Sequence, residues 1–163
     1  MSYKLITGVC SKLPGDLKIH GDDEPQNYAR KLGYGLLKIV IHGTPLGKPR
    51  QTQRDKWAKR PCVMRYRGWA DRARAAAGLM LPPADSVTSL DWTAFFEPPK
   101  SWSKKKRCAA IGELHRVPFD LDNLAKSLCD ALWPNGDSAI AAMQCEKRWG
   151  WKPRIEITIR YVE

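Results

Sequence analysis

Hydrophobic residues recur with two periods along the chain, and each period predicts a different kind of element. Apolar runs that alternate with polar residues, or that are rich in β-branched side chains, predict strands at 36–43, 87–97 and 154–162, with a weaker one at 138–147. The pattern is clearest near the end of the chain, where Ile155, Ile157 and Ile159 alternate with polar residues, as in a strand with one buried face.

Helical spacing of apolar residues predicts two helices. Over 120–132, apolar residues recur every three or four positions from Leu121 to Leu132, and Asp120 stands where it can cap the first turn. Residues 62–80 are rich in Arg and Ala and also predict a helix. On that helix we expect one apolar face formed by Met64, Trp69, Ala73, Ala76 and Ala77.

These elements together predict an α+β fold (mixed α/β), in which a small mixed sheet of about four strands packs with two to three helices. The length of 163 residues suits one folded domain. We expect this domain to cover 36–163, because 1–35 show little periodicity and several turn formers. Residues 1–35 are therefore predicted to be an N-terminal extension, whose role the sequence does not indicate.

Composition excludes several classes of protein. No apolar run approaches the roughly 18 residues of a membrane span, and the first residues show no secretory cleavage pattern. The five cysteines are scattered and lack the C-x-x-C spacing, which argues against a disulfide framework and a zinc ribbon and favours a reducing compartment. We therefore expect a cytoplasmic protein with no membrane partner.

Charge points to a polyanionic partner. The chain holds 28 Lys and Arg against 17 Asp and Glu, and residues 45–74 alone hold ten basic and two acidic side chains. Nucleic acid is the usual partner of such a chain, although a merely basic protein would have the same balance. The candidate DNA contacts in the two basic segments are Lys48, Arg50, Arg54, Lys56, Lys104, Lys105, Lys106 and Arg107.

Aromatic residues lie among these charges, and each has two interpretations. Trp57, Tyr66, Trp69 and Trp102 can stack on an unpaired base or wedge into a branch point if they are exposed. Core packing is the alternative, and it is the prediction for Trp69 and Trp92, which fall on apolar faces. For Trp102 both interpretations stay open.

Acidic residues around the 120–132 helix are the candidate catalytic groups. Asp120 and Asp122 stand two residues apart at its start, and Asp137 follows the turn after it. Carboxylates are preferred Mg²⁺ ligands, and a bound ion can activate water for phosphodiester hydrolysis. Lys126, one turn after Asp122, can stabilise charge on the phosphate. The alternative is structural: Asp120 as a plain cap, and Asp122, Lys126 and Asp130 as a solvated ion-pair stripe.

Several strings in the chain resemble the RusA family of Holliday-junction resolvases, in particular its phage-type branch. The central string is His115-Arg116-x-x-x-Asp120-Leu121-Asp122-Asn123-Leu124-x-Lys126-x-x-x-Asp130-Ala131-Leu132, followed by Asp137-Ser138-x-Ile140 and Lys147. Upstream strings are Gly43-x-Pro45-x-x-Lys48-Pro49-Arg50 and Pro98-Pro99-Lys100-Ser101-Trp102-Ser103-Lys104-Lys105-Lys106. The resemblance covers roughly residues 36–162.

The resemblance implies a homodimeric, Mg²⁺-dependent endonuclease, with Mn²⁺ able to substitute, that cuts four-way DNA junctions by paired symmetric nicks. It implies Asp120, Asp122 and Asp137 as metal ligands and Lys126 as the essential lysine. Arg116 and Lys147 join the candidate DNA contacts, and no small-molecule cofactor is expected. One departure is Gly136, where family members often have a second acid beside the one at Asp137.

Two other functions remain open from the sequence. A branched-DNA-binding accessory protein would have the same charge distribution without metal-dependent cleavage. A metal nuclease that prefers flaps or forks would use the same residues, because substrate shape and not the chemistry separates it from a resolvase. The resemblance places either protein in the cytoplasm of a bacterial host or a phage-infected cell.

Overall fold

The computed structural model describes residues 33–50, 52–57, 59–117 and 120–162. Within these ranges the chain forms four strands, β1 (Tyr34–His42), β2 (Val87–Phe96), β3 (Met143–Trp149) and β4 (Arg154–Val162). It also forms three helices, α1 (Pro61–Ala77), α2 (Lys104–Ala110) and α3 (Leu121–Leu132). Short 3₁₀ turns lie at Gln53–Lys56, Gly78–Met80, Ala84–Ser86 and Asp137–Ala139. Most of the predicted N-terminal extension, residues 1–32, lies outside the described residues.

The strands form one mixed sheet in the order β1-β4-β2-β3. β4 pairs antiparallel with both β1 and β2, whereas β2 and β3 are parallel. Parallel neighbours need a crossover connection, and here that connection contains α2 and α3. The predicted α+β class with a small mixed sheet is therefore confirmed. No helix in the described part of the chain is long and apolar enough to cross a membrane.

The hydrophobic core joins the sheet to α1 and α3. The inward residues of β4, Ile155, Ile157 and Ile159, are buried with Trp69 of α1 and Leu128 of α3. Every second residue of β4 contributes, as its alternating sequence predicts. The prediction that Trp69 and Trp92 belong to the core is confirmed, since they are 0% and 3% exposed.

The apolar face predicted for α1 is partly wrong. Trp69, Ala73 and Ala77 are buried, but Met64 is 43% exposed and Ala76 is exposed. The buried face follows helical spacing and consists of Val63, Tyr66, Trp69, Ala70, Ala73 and Ala77. Met64 and Ala76 lie outside this face and are exposed, so an apolar side chain alone does not predict burial on this helix.

The last two strands differ in how well the sequence predicts their bounds. β4 begins and ends where predicted, whereas β3 begins at Met143 rather than residue 138. A 3₁₀ turn at Asp137–Ala139 occupies the predicted start, and the parallel register with β2 extends β3 to Trp149. The backbone of His115 donates to the carbonyl of Lys147 at 2.9 Å, so the segment before α3 partly covers this edge.

Candidate active site

The loop after β1 lies against α3 and brings two distant parts of the chain together. The Ser127 hydroxyl in α3 donates to the carbonyl of Leu46 at 2.6 Å. At Gly47 the approach is closer, because a Cβ placed there would lie 2.6 Å from Nδ2 of Asn123. Gly47 therefore leaves room for the Asn123 side chain, and loop 43–50 becomes one wall of the surface around the start of α3.

Asp130 of α3 interacts with two lysines, and one of them, Lys48, joins the helix to this loop. Lys48 Nζ donates to Asp130 Oδ2 at 2.6 Å, and Lys126 Nζ lies 3.8 Å from Asp130 Oδ1. The hydrogen bond to Asp130 raises the pKa of Lys48, and the nearby carboxylate of Asp137 adds to the effect. The structure thus contains one half of the predicted ion-pair stripe, the pair Lys126–Asp130. It also pairs Lys48, a candidate DNA contact, with Asp130.

The two acids at the start of α3 are exposed and have no cationic partner among the described residues. Asp120 occupies the N-cap position, but its side chain makes no capping hydrogen bond, and Asp122 lies in the first turn. Neither carboxylate forms an ion pair within the described ranges. Two exposed, unpaired carboxylates at one helix start suit Mg²⁺, which typically takes one or two carboxylates and keeps several waters.

Asp137 lies toward the other half of α3. Burial raises the pKa of the Cys129 thiol to about 11, and the carboxylate of Asp137 is the next largest cause. Cys129 is seven positions after Asp122 along the helix, a rise of about 10 Å. Accordingly, no three His, Cys, Asp or Glu side chains within the described ranges are grouped closely enough to hold a metal ion. The carboxylate of Asp137 also contributes to the raised pKa of Lys48, and the described residues do not group Asp137 with Asp120 and Asp122.

Asp55 anchors the basic loop that contains the candidate DNA contacts Arg50, Arg54 and Lys56. Its buried carboxylate accepts two hydrogen bonds from Arg60, each 2.6 Å long, and one from the backbone of Thr52. The hydrogen bonds from Arg60 are the main reason that the pKa of Asp55 falls to about 2. Arg50 is exposed, and the 3₁₀ turn contains Arg54 and Lys56.

The second basic segment forms a short capped helix. The Ser103 hydroxyl accepts a hydrogen bond from the backbone of Lys106, which starts α2 and leaves Lys104, Lys105 and Lys106 exposed. Arg107 instead pairs with Glu97 at 3.3 Å. The other two candidates lie before α3 and in β3: Arg116 is exposed, whereas Lys147 is half-buried and donates to the carbonyl of Val117.

The aromatic candidates divide between core and surface. Tyr66 is buried and its hydroxyl donates to the Ser127 carbonyl, so it supports α3 and is not available to stack on a base. Trp102 is half-buried against Trp149, with Lys106 over its ring at 4.2 Å. Trp57 is 75% exposed in the basic loop and is the aromatic of this set that remains accessible.

Two residues that support the site were not singled out from the sequence. Ser127 is fully buried on α3 and binds the loop, and Gly47 leaves space for Asn123. A serine among leucines on the apolar face of a helix is the feature that could have revealed Ser127, because a buried hydroxyl needs a partner. Nothing in the local sequence around Gly47 indicates its contact with Asn123.

Comparison with known proteins accounts for this arrangement of acids, basic loop and sheet. No curated protein matches the chain closely enough to be informative. Residues 42–160, most of the chain, match the model of the endodeoxyribonuclease RusA family. This range begins at the end of β1 and ends within β4, so it contains the loop, α3 and all of the candidate catalytic residues. The chain belongs to the RusA family of endodeoxyribonucleases, the hydrolases that resolve Holliday junctions.

Proposed function

We propose that the chain is a Mg²⁺-dependent, structure-selective endodeoxyribonuclease that resolves Holliday junctions by paired symmetric nicks. The observation that supports this most is the pair Asp120 and Asp122, exposed at the start of α3 without a cationic partner among the described residues. Two unpaired carboxylates on the surface of a basic, DNA-binding protein repel the substrate unless a cation lies between them and the phosphate. Such a pair is therefore more useful to a nuclease than to a protein that only binds DNA.

The proposed roles follow from the chemistry of each side chain. Asp120 and Asp122 hold the metal ion, and Mn²⁺ can replace Mg²⁺. Asp137 is the proposed third carboxylate ligand; the described residues do not group it with the other two, so binding of the ion must draw it closer. When bound, the ion supplies an activated water and stabilises charge on the scissile phosphate. Lys126, 63% exposed and only loosely paired with Asp130, contributes a positive charge beside that phosphate. The candidate DNA contacts at Lys48, Arg50, Arg54, Lys56, Lys104–Arg107, Arg116 and Lys147 bind the backbone of the arms.

The assembly proposed for this reaction is a homodimer. A four-way junction is nearly two-fold symmetric, and resolution requires cuts in two opposed strands. A dimer with C₂ symmetry presents two identical sites in matching orientation. We place this activity in DNA recombination and repair in the cytoplasm of a bacterial or phage-infected cell.

A cleavage assay with labelled DNA tests the proposal. Purified protein is incubated with a four-way junction, a fork and a linear duplex, each with Mg²⁺, with Mn²⁺ or with EDTA. We expect paired nicks in the junction only, lost in EDTA. Cleavage of the fork at the same rate as the junction would indicate a less selective metal nuclease. Junction binding without cleavage in either metal would instead identify a branched-DNA-binding accessory protein.

A further inference from the structure

A basic groove separate from the acidic residues lies between α1 and the loop after β1. It has a volume of about 710 Å³ and is lined by Thr44, Leu46, Met64, Arg65, Gly68 and Arg72. Two of these six residues are arginines and none is acidic. An open groove with this lining is electrostatically complementary to a polyanion and offers no partner to a cation.

The two arginines are free to bind a ligand, unlike other arginines of the same helix. Arg65 and Arg72 are exposed and form no ion pair or hydrogen bond within the described ranges. By contrast, Arg67 donates to the carbonyl of Asp55 at 3.1 Å, and Arg74 binds Asp71 and the carbonyl of Ala131. One helix therefore carries one pair of engaged arginines and one pair of available arginines.

The spacing of the available pair suits a nucleic-acid backbone. Arg65 and Arg72 are seven residues apart, so they project in nearly the same direction, about 20° apart around the helix. The rise between them is about 10.5 Å. That rise is about the axial length of three base pairs, and the long, flexible arginine side chains can follow the wider path of the phosphates around the duplex. Two guanidinium groups so placed can each bind a phosphate of the same strand, with bidentate hydrogen bonds.

Loop 43–50 connects the groove to the candidate active site. Leu46 lines the groove, while its carbonyl accepts the hydrogen bond from Ser127 in α3. The next residue, Gly47, lies against Asn123, which directly follows the candidate ligand Asp122 within α3. The loop is therefore a shared wall, with the acidic surface on one side and the arginine groove on the other.

We propose that this groove binds the phosphodiester backbone of a duplex arm, through Arg65 and Arg72, beside the strand that is cleaved. The identification of the ligand as substrate DNA rests on the proposed function. The groove adds a contact that positions an arm relative to the acids, and it takes no part in the chemistry. Because it binds phosphates, it contributes affinity and salt dependence but no preference for a base sequence.

Fluorescence anisotropy with a labelled junction and a labelled duplex, in EDTA, tests this proposal. Affinity is measured from about 50 to 200 mM salt for the wild type and three double variants. For R65Q/R72Q we expect about tenfold weaker binding at about 0.15 M salt. We also expect the slope of log affinity against log salt to fall by about 2. R65K/R72K retains the charge and should keep the wild-type slope. R67Q/R74Q removes the same amount of charge, but from arginines that already bind other groups of the protein, and should also keep the wild-type slope.

The outcomes separate this proposal from the proposed nuclease activity. If R65Q/R72Q has an unchanged melting temperature and binds DNA with the wild-type slope and affinity, the proposal that the groove binds DNA is overturned. This holds even if the junction is cleaved normally. An equal loss in R67Q/R74Q would overturn it as well, because net charge alone would explain the effect. If R65Q/R72Q shows a reduced slope but the wild-type protein never cleaves the junction, the proposed groove function stands and the proposed nuclease activity is overturned.

Discussion

Asp120 and Asp122 differ from Asp130 in the partners that the fold gives them, and this difference separates their roles. Asp130 is held between Lys48 and Lys126, whereas the other two carboxylates meet no cation in the described part of the chain. A paired carboxylate stabilises its neighbours, while an unpaired one is available to a metal ion. The sequence alone allowed Asp122 and Asp130 to belong to one ion-pair stripe with Lys126, and Asp120 to be a plain cap.

Replacement of a proposed ligand should separate cleavage from binding. We expect Asp120→Asn and Asp122→Asn to abolish junction cleavage, because the amide is a poor Mg²⁺ ligand, and to retain or strengthen binding, because a negative charge near the phosphate is lost. Cleavage gels and anisotropy measure the two effects. Asp71→Asn is a matched control, since Asp71 is an exposed acid that pairs with Arg74. Normal cleavage by either ligand variant would contradict the assignment.

Lys126 should matter for turnover and not for stability. Its ammonium is 63% exposed and 3.8 Å from Asp130, a surface pair worth little to folding. As a charge beside the scissile phosphate it should contribute more, so we expect Lys126→Ala to slow single-turnover cleavage by about 100-fold or more, with an unchanged melting temperature. Lys38→Ala, an exposed lysine of β1 outside the candidate DNA contacts, is the control. An unchanged cleavage rate in Lys126→Ala would show that Lys126 only forms a surface ion pair and has no role in catalysis.

At the scale of elements, the contact between loop 43–50 and α3 depends on the absence of a side chain at Gly47. A Cβ there would lie 2.6 Å from Nδ2 of Asn123, so either the Asn123 side chain must leave this position or the loop must shift. We expect Gly47→Ala to lower the free energy of unfolding by about 1–3 kcal/mol and to slow cleavage, since Asn123 directly follows Asp122. Denaturant titration measures the first effect. Adding Asn123→Ala removes the clash and should restore part of the stability; a Gly47→Ala variant as stable as wild type would show that the contact is unimportant.

The basic loop should show an acid-dependent stability set by Asp55. Because Arg60 lowers the pKa of Asp55 from about 3.8 to about 2, the charged carboxylate is favoured in the folded state. Its contribution is therefore complete above about pH 4 and disappears as the pH falls through the folded value near 2. Urea titrations of wild type and Asp55→Asn should show a stability difference that is constant above about pH 4 and shrinks below it. A stability difference that stays constant down to about pH 2 would show that the charge of Asp55 is not its cause.

The sequence predicts local elements well and long-range contacts poorly, and the reasons are physical. Alternation of isoleucines depends only on which face of β4 is buried, so its bounds are predictable. The start of β3 depends on pairing with β2, about fifty residues away, and the prediction missed it by five residues. The hydrogen bond from Lys48 to Asp130 spans 82 positions, and no local pattern indicates it. The acids of the candidate site were recognisable, but their different partners were not.

At the scale of the whole molecule, paired nicking makes a prediction that a single active site cannot satisfy. If the protein acts as a C₂ dimer, each protomer cuts one strand. A mixed dimer of wild type and Asp122→Asn, purified through two different affinity tags, should therefore nick one strand and leave the junction unresolved. A plasmid with an extruded cruciform reports this directly, because one nick gives a relaxed circle and two symmetric nicks give a linear product. Linear product formed by the mixed dimer at the wild-type rate would mean that one site makes both cuts, and the homodimeric mechanism would have to be abandoned.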